Sequence, residues 1–269
     1  MICQALRLLA CIPLVAAAAT LAAAPATVFV DELTWTELRT RIQSGTTTII
    51  VPIGGTEQNG PHMVLGKHNV RVKALSDRIA QSLGNALVAP VVAYVPEGSV
   101  HPPAAHMRFP GTITVPDATF EKVLESAGRS FKLHGFRDIV FLGDHGGYQK
   151  SLKVVADRLN KEWAATPVRV HAIDEYYRAS ETTYVEALKR RGHGDAEIGT
   201  HAGLADTSLA LAIDPRLVRA DRLQSGENPG RADGVYGDPR RSTAELGQLG
   251  VDAIVAASVD AIKRAVARR

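Results

Sequence analysis

Carboxylate and imidazole side chains are concentrated in a short segment that follows an apolar run. Glu57 comes after a Gly-Gly-Thr sequence, and His62 and His68 follow a few residues later. The apolar run at residues 49–53 predicts a buried strand of a parallel sheet, and ligands of open α/β sheets bind beyond the carboxyl ends of such strands. We therefore predict that Glu57 and His68 hold a metal ion or a substrate. A polar loop built on Gly and Pro turns is the alternative interpretation.

Two further groups of polar residues fall at a predicted strand end and a predicted helix start. Asp144 and His145 follow an apolar run at residues 139–142 and precede two glycines, which let a ligand or backbone come close. His201 precedes a predicted helix, and Asp206 lies in its first turns, where the helix dipole favours negative charge. A loop with a tight Pro-Gly turn carries His106 and Arg108, which we expect to contact the substrate.

The first 26 residues resemble a secretory signal peptide. They contain one basic residue, Arg7, then an Ala-rich apolar stretch and the small-residue sequence Ala24-Pro25-Ala26. A membrane anchor is the alternative, but no basic stop-transfer segment follows the apolar stretch. We predict cleavage near Thr27 and export, so that the protein is periplasmic or secreted.

Both cysteines, Cys3 and Cys11, lie in the predicted signal peptide, so the mature chain has none. Disulfides, thiolate catalysis and cysteine metal ligands are therefore excluded. Removing Arg7 lowers the formal net charge from +3 to +2, and no basic block is present, which argues against nucleic acid as a partner. No later run is long enough to span a bilayer, so no membrane contact is expected after cleavage.

Residues 27–269 are predicted to form a single α/β domain. Strand and helix signals alternate, which predicts a mainly parallel central sheet with helices on both faces. Strands are predicted at residues 49–53, 86–95, 139–142 and 168–173, with an extended piece at 109–115. Helices are predicted at residues 69–83, from 116 to near 135, and at 148–163, 202–213 and 243–268, with a Gly, Pro and Arg-rich loop at 227–241.

Five motifs resemble, in order, those of the creatininase (creatinine amidohydrolase) family. The family carries E-Q-H-G-P-H-L-P-L-G-T-D, F-P-G-T, N-G-H-G-G-N, H-A-G-x-x-E-T-S and G-V-x-G-D-P. The segments here are EQNGPHMVLGKH (57–68), FPGT (109–112), GDHGGY (143–148), HAGLADTS (201–208) and GVYGDP (234–239). The resemblance covers nearly all of the mature chain. It implies a creatininase-like fold, metal-dependent hydrolysis of cyclic or linear amides of small molecules, and a homo-oligomer.

The resemblance also implies roles for individual residues. Glu57 and His145 match metal ligands, and His201 matches the family's proton-shuttling histidine. Asn59 stands where the family has a histidine, and His68 stands where it has an aspartate that bridges two metal ions. Gly143 stands where the family has an asparagine, and Asp206 stands where it has a glutamate.

These departures predict one metal ion per chain rather than two. A carboxylate can bridge two cations, whereas a neutral imidazole usually presents one nitrogen to one cation. We expect Zn²⁺, with Mn²⁺ as the alternative, held by Glu57, His68 and His145 with an open position for water. Asp206 is then either a fourth ligand or the group that orients the water.

The mechanism expected for such a site is attack of metal-activated water on an amide carbonyl. Asp206 or Asp144 would accept the water proton, and His201 would donate a proton to the leaving nitrogen. A metallopeptidase or deformylase-like enzyme acting on a linear amide is the alternative enzyme. A non-catalytic binding protein with a decayed metal site is the alternative of another class, because of Asn59 and His68.

Overall fold

The computed structural model describes residues 27–224 and 229–268, and the predicted signal peptide lies outside the described residues. The strands are β1 (Thr48–Ile53), β2 (Ala86–Val88), β3 (Asp138–Gly143) and β4 (Arg169–Ala172). The helices are α1 (Trp35–Gln43), α2 (Lys67–Leu83), α3 (Asp117–His134), α4 (Gln149–Glu162), α5 (Glu175–Glu181), α6 (Thr183–Arg190), α7 (Asp195–Ile198), α8 (Leu204–Ile213), α9 (Ala220–Gln224) and α10 (Ala244–Ala267).

The four strands form one parallel sheet in the order β2-β1-β3-β4, with β1 and β3 at its centre. Ile50 of β1 lies opposite Val88 of β2 and Val140 of β3. Parallel neighbours require crossover connections, and α2, α3 and α4 lie in those connections. The predicted α/β fold with a mainly parallel sheet is confirmed.

Side chains of β1 alternate between two hydrophobic cores. Ile49, Val51 and Ile53 pack with buried residues of α3 and α4. Ile50 faces the other side of the sheet, where it belongs to a core formed with α2, α8 and α10. Since successive strand residues point to opposite faces, a strand covered on both faces must be apolar throughout. This is why residues 49–53 form a continuous apolar run.

Helix α2 connects one of these cores to the polar edge of the sheet. Its apolar stripe, which includes Val72 and Leu75, is buried against the sheet. The helix begins at Lys67, two residues earlier than predicted, so that Lys67 and His68 belong to its first turn. It ends at Gly84, whose φ of +77° is a left-handed conformation that glycine adopts at little cost.

Strand β2 is shorter than the strand predicted at residues 86–95. It contains three residues, because Pro90 has no N–H to donate to the sheet. The chain nevertheless continues beside β1, where Val92 N–H donates to the carbonyl of Pro52 at 2.9 Å. The extended segment thereby carries Glu97 to the same edge of the sheet as the end of β1.

The region between β4 and α8 is more helical than predicted. No element was predicted at residues 174–201, yet α5, α6 and α7 lie there with lengths of 7, 8 and 4 residues. Helices of one or two turns are too short for an apolar period to be recognised in the sequence. Tyr176 and Tyr184 bury their rings in the core shared with α8 and α10.

Helices α8 and α10 pack at very short range. A Cβ atom added at Gly247 of α10 would lie 1.8 Å from the carbonyl oxygen of Ser208 and 2.8 Å from Cβ of Ala212. Glycine at this position therefore sets the distance between the two helices. None of the helices in the described part of the chain, including the 24-residue α10, is both long and apolar enough to cross a membrane.

Candidate active site

Polar side chains from several elements meet beyond the carboxyl ends of β1 and β3. Glu57 follows β1, and Asp144 and His145 follow β3 directly. The extended segment after β2 adds Glu97, and the first turn of α2 adds Lys67. Ligand sites of parallel sheets lie in this position, because several loops converge at the carboxyl edge.

Four of these side chains form a group, called here the four-residue metal group: Glu57, Glu97, His106 and His145. One oxygen or nitrogen atom from each lies within 4.8 Å of one from every other member. Nε2 of His106 is 3.1 Å from Oε2 of Glu57, and Nε2 of His145 is 3.7 Å from the same oxygen. Nδ1 of His145 is also 3.7 Å from Oε2 of Glu97.

Three of the four carboxylate oxygens of this group lack hydrogen-bond partners among the described residues. Glu57 and Glu97 are 0% and 2% exposed, and neither Oε2 of Glu57 nor either oxygen of Glu97 makes a hydrogen bond within the described residues. Burial, together with the charge of Glu57, raises the pKa of Glu97 to about 9. Buried carboxylates without donors are costly unless a cation compensates them. Two oxygen and two nitrogen donors suit Zn²⁺ or Mn²⁺, so the residues fit a divalent ion.

Gly55 makes room for Glu97 in this group. A Cβ atom at Gly55 would lie 2.5 Å from Oε1 of Glu97 and 3.2 Å from a methyl group of Val95. Any larger residue would displace the carboxylate from its present position. The glycines between β1 and Glu57 therefore have a packing function in the site as well as a turn function.

His68 contacts Glu57 at Oε1, whereas His106 and His145 face Oε2. Nε2 of His68 is 2.7 Å from Oε1 of Glu57, and Nδ1 is 2.6 Å from Oδ2 of Asp144. Since each ring nitrogen faces a carboxylate oxygen, neither directs a lone pair at the metal group. Burial raises the pKa of Glu57, but the hydrogen bond with His68 and the nearby charge of Lys67 outweigh it and hold the pKa well below its ordinary value.

Asp206 and Asp144 are engaged by cations of α2. Asp206 Oδ2 accepts a hydrogen bond from the Lys67 ammonium group, and its Oδ1 lies 2.7 Å from Nη1 of Arg71. Nε of Arg71 donates to both oxygens of Asp144, at 2.8 and 3.1 Å, and the hydroxyl of Tyr176 donates to Oδ1 of Asp144 at 2.7 Å. Burial raises the pKa of both aspartates, but these cations reverse the shift and keep the carboxyl groups ionised.

His201 lies at the edge of the metal group. Its Nε2 is 3.0 Å from the backbone carbonyl of Gln58, an acceptor, and 3.1 Å from the side-chain amide nitrogen of Gln58, a donor. Its Nδ1 lies 3.7 Å from Oε1 of Glu57. The ring centroid of His201 is 4.7 Å from that of His106.

Burial keeps the imidazoles of the site neutral. It lowers the pKa of His145 to about 4 and that of His201 to about 3, and it also lowers the pKa of His106. The charge of Lys67 acts in the same direction on all three rings. A neutral imidazole presents a lone pair, as both metal binding and proton acceptance require.

Two cavities meet at His106 and His201. One has a volume of about 180 Å³ and is lined by the α2 cations, Asp206 and residues of α5, including Glu181. The other has a volume of about 290 Å³ and is lined by Arg108, Phe109 and Tyr236, among others. Arg108, the predicted substrate contact, lines the second cavity and not the first.

A family model described as creatinine amidohydrolase (Creatininase) matches residues 31–262 of the chain. The chain belongs to the creatininase family. The matched segment includes the whole sheet and every residue of the candidate active site, from Glu57 to Asp206. The family assignment indicated by the sequence motifs is confirmed.

Relatives of this creatininase-family protein include hydrolases of amide bonds. A creatinine amidohydrolase of Pseudomonas putida is 28% identical over 88% of this chain and 96% of its own length. A mycofactocin precursor peptide peptidase of Mycolicibacterium smegmatis is 29% identical over 80% of this chain and 84% of its own. Two solved creatininase structures, one described with Mn and one as a mutant of Zn-Zn type, have the same fold, each with a TM-score of 0.71. Each is 27% identical in sequence to this chain, and the match covers 88% of this chain and 98% of the solved chain.

The creatininase-family site brings together only part of the predicted ligand set. Glu57 and His145 lie in the four-residue metal group, whereas His68 and Asp206 lie beside it and make the contacts described above. His106, predicted as a substrate contact, is a member of the group. In this arrangement the polar side-chain atoms of His68 and Asp206 face charged partners of this chain.

Glu97 is the residue that the sequence reasoning missed. It follows the apolar run at residues 86–95 by two positions, and Glu57 follows the run at 49–53 by four. The same strand-end argument would therefore have selected it. No family motif quoted for the resemblance includes Glu97, and the sequence around it gave no second signal.

Asn59 supports the loop that carries Glu57. Its amide nitrogen donates to the carbonyl oxygens of Glu57 and Val64, each at 2.9 Å. Nε2 of His62, in the same loop, is 2.9 Å from Oγ1 of Thr207 in α8. Both residues thus hold the loop against its neighbours.

Proposed function

We propose that the protein hydrolyses a C–N amide bond of a small molecule and requires one divalent ion, Zn²⁺ or Mn²⁺. The observation that carries the proposal is the set of three buried carboxylate oxygens without hydrogen bonds, which face the imidazoles of His106 and His145. In this proposal Glu57, Glu97, His106 and His145 hold the ion. An ion bound there supplies Lewis acidity for attack of water on an amide carbonyl.

His201 is the proposed proton carrier. Its ring lies at the edge of the metal group, with Nδ1 3.7 Å from Oε1 of Glu57, and burial keeps it neutral, so that one ring nitrogen has a free lone pair. The ring can accept the proton of the attacking water and return it to the leaving nitrogen of the amide. One imidazole then serves first as base and then as acid, as general acid–base catalysis by histidine requires.

Asp144 and Asp206 have a different role in this proposal from the one expected from the sequence. Both carboxylates are bonded to Arg71, and Asp206 also to Lys67, so a proton transferred to either would break a buried ion pair. We assign them to positioning. Asp144 orients His68, and His68 orients Glu57.

The cavities favour a small substrate. The space of about 180 Å³ next to the metal group accommodates a compact amide rather than a folded protein segment. The second cavity, of about 290 Å³, would receive the other part of a linear substrate, and Arg108 there suits a carboxylate. Two connected cavities therefore support the alternative of a linear amide or short peptide beside that of a cyclic amide.

The test is metal-dependent hydrolysis of defined amides. Protein stripped with a chelator would be incubated with and without Zn²⁺ or Mn²⁺ and with creatinine, other cyclic amides, N-acyl amides and short peptides, and released amines would be followed by NMR. Activity restored by metal and lost in His145→Ala is the expected result. Glu162→Gln, at an exposed ion pair, is the matched control. Equal rates without metal, or full activity of His145→Ala, would contradict the proposal.

A protein that binds an amide without turnover is the remaining alternative. In that case the panel would give no hydrolysis with either metal, although calorimetry would detect binding of one of the amides. The four-residue metal group supports turnover, because a site that had lost its metal ion would not need a carboxylate or an imidazole at each of its four positions.

Export and self-association are further proposals. The signal-peptide pattern of residues 1–26 supports export to the periplasm or medium, and the family resemblance supports a homo-oligomer. Cell fractionation combined with N-terminal sequencing of the purified protein tests the first, with cleavage expected near Thr27. Light scattering of the purified protein tests the second, and a mass equal to one chain would contradict it.

A further inference from the structure

The side chain of Lys67 is buried between two carboxylates of the candidate active site. It is 1% exposed, and its ammonium group donates to Asp206 Oδ2 and lies 3.9 Å from Oε1 of Glu57. An ammonium group without water is retained only where carboxylates compensate for its lost hydration. The first turn of α2 fixes this position, since Lys67 is the first residue of the helix.

The carboxylate oxygens around Lys67 fall into two sets. Those of Asp144 and Asp206 receive hydrogen bonds from groups of this chain, among them Arg71, Tyr176 and Lys67. Those without donors among the described residues, Oε2 of Glu57 and both oxygens of Glu97, face the four-residue metal group instead. The carboxylate oxygens that are free to bind a cation therefore suffice for one ion. The charge of Asp206 is already neutralised by Lys67 and Arg71.

We propose that the Lys67 ammonium group supplies a built-in positive charge where a second divalent ion would otherwise lie between Glu57 and Asp206. The protein then binds one divalent ion, and Lys67 prevents a second from binding. This inference rests on the proposed function only for the presence of one ion in the four-residue metal group. It assigns to Lys67 a role in metal stoichiometry.

Two properties of the site give Lys67 this role. A fixed ammonium group repels a divalent ion in the low dielectric of a buried site. It also donates to Oδ2 of Asp206, the oxygen that is not bonded to Arg71 and is otherwise bonded only to the backbone N–H of Ala202 among the described residues. His68 reinforces the effect, since its two nitrogens face Glu57 and Asp144 and add no ligand on this side.

The first test uses the unaltered protein. Metal-free protein would be titrated with Mn²⁺ by calorimetry, and the loaded sample examined by electron paramagnetic resonance. One ion per chain, with the spectrum of an isolated Mn²⁺, is the expected result. Two ions per chain, an exchange-coupled pair or no bound ion would overturn the proposal.

Two variants distinguish the effect of an added ligand for a second ion from the effect of removing the Lys67 ammonium group. His68→Asp adds a carboxylate at the helix start but retains Lys67, and we expect it to bind one Mn²⁺ per chain. His68→Asp combined with Lys67→Ala removes the ammonium group as well, and we expect two. Two ions in the single variant, or one in the double variant, would overturn the proposal.

The experiments also distinguish this inference from the proposed activity. Circular dichroism and thermal unfolding of both variants identify any that do not fold, and the measurements on the unaltered protein do not depend on them. One bound Mn²⁺ per chain, together with the expected variant stoichiometries but without hydrolysis of any amide, would support the role of Lys67 and contradict the activity alone.

Discussion

Asp144 and His68 are joined by a 2.6 Å contact between Oδ2 and Nδ1, and this contact links the ion pairs of α2 to the carboxylate of Glu57. Asp144 is bonded to Arg71 as well as to His68. The position of Glu57 in the metal group therefore depends on a carboxylate that lies outside the group.

Replacing Asp144 with Asn tests this dependence. The change leaves Arg71 with less compensation in a buried position, so we expect the free energy of unfolding to fall by about 3–5 kcal/mol. We also expect the affinity for Mn²⁺ to fall by about 10–100-fold, since an outer partner of a ligand is weakened. Urea unfolding of the metal-free protein and calorimetry measure the two effects. Wild-type values for both in Asp144→Asn would show that the contact has no influence.

Replacing Glu97 with Gln tests the membership of Glu97 in the metal group. The amide keeps the size of the side chain but cannot ionise to bind a cation, so we expect a loss of Mn²⁺ affinity larger than the ~10–100-fold typical of an outer partner. Because the raised pKa of Glu97, about 9, makes this group destabilise the folded metal-free protein at pH 7, the metal-free variant should be at least as stable as the wild type. Isothermal calorimetry and urea unfolding provide the comparison. Unchanged affinity for Mn²⁺ would show that Glu97 is not a ligand of the ion.

The pH dependence of stability should report the burial of His62. Burial lowers its pKa from 6.5 in the unfolded chain to about 4 in the folded protein. The unfolded state therefore binds the proton more readily, and the folded state loses stability as the pH falls from about 6.5 to about 4. His62 alone should contribute about 2–3 kcal/mol to this loss.

His62→Gln isolates that contribution from those of the other histidines. Urea unfolding of metal-free wild type and variant at pH 7.5 and pH 4.5 gives the loss of stability for each. We expect a smaller loss in the variant, because Gln does not titrate. Equal losses in the two proteins would mean that His62 is not protonated preferentially in the unfolded state.

Gly247→Ala should weaken the contact of α10 with α8. The new methyl group would lie 1.8 Å from the carbonyl oxygen of Ser208, so the helices must move apart. Overpacking of this kind costs about 1–3 kcal/mol or more. Gly194→Ala is the matched control, because a Cβ atom there meets nothing within 4 Å. Thermal and urea unfolding compare the two, and equal stability would show that the helix contact adapts.

The elements that face the sheet could be predicted from the sequence, because burial on a sheet imposes a regular pattern. The apolar run at residues 49–53, the stripe of α2 and the stripe of α3 each follow from one period. The ends of α2 and α3, at Gly84 and Gly135, could also be predicted, because glycine commonly follows the last residue of a helix. β2 was predicted too long because apolar composition continues past Pro90, although the hydrogen-bonded strand does not.

The site was predictable only where one local signal sufficed. Glu57 and His145 stand next to strand ends, and each belongs to a motif. The partners of Asp206 come from α2, more than 130 residues earlier in the chain, and no local pattern records that pairing. A carboxylate in a first helical turn looks the same in sequence whether it binds a metal ion or a lysine. Only the three-dimensional arrangement distinguishes these roles.

Helix α2 has its buried stripe and its active-site residues on the same short element. Lys67 and His68 open the helix, and Val72 and Leu75 lie one to two turns further along in the core. A rotation or shift of the helix that relieves a change in the core would move both site residues at once. Evolutionary drift in this part of the core is therefore not neutral for the chemistry, and new activities can arise from substitutions that never touch a substrate.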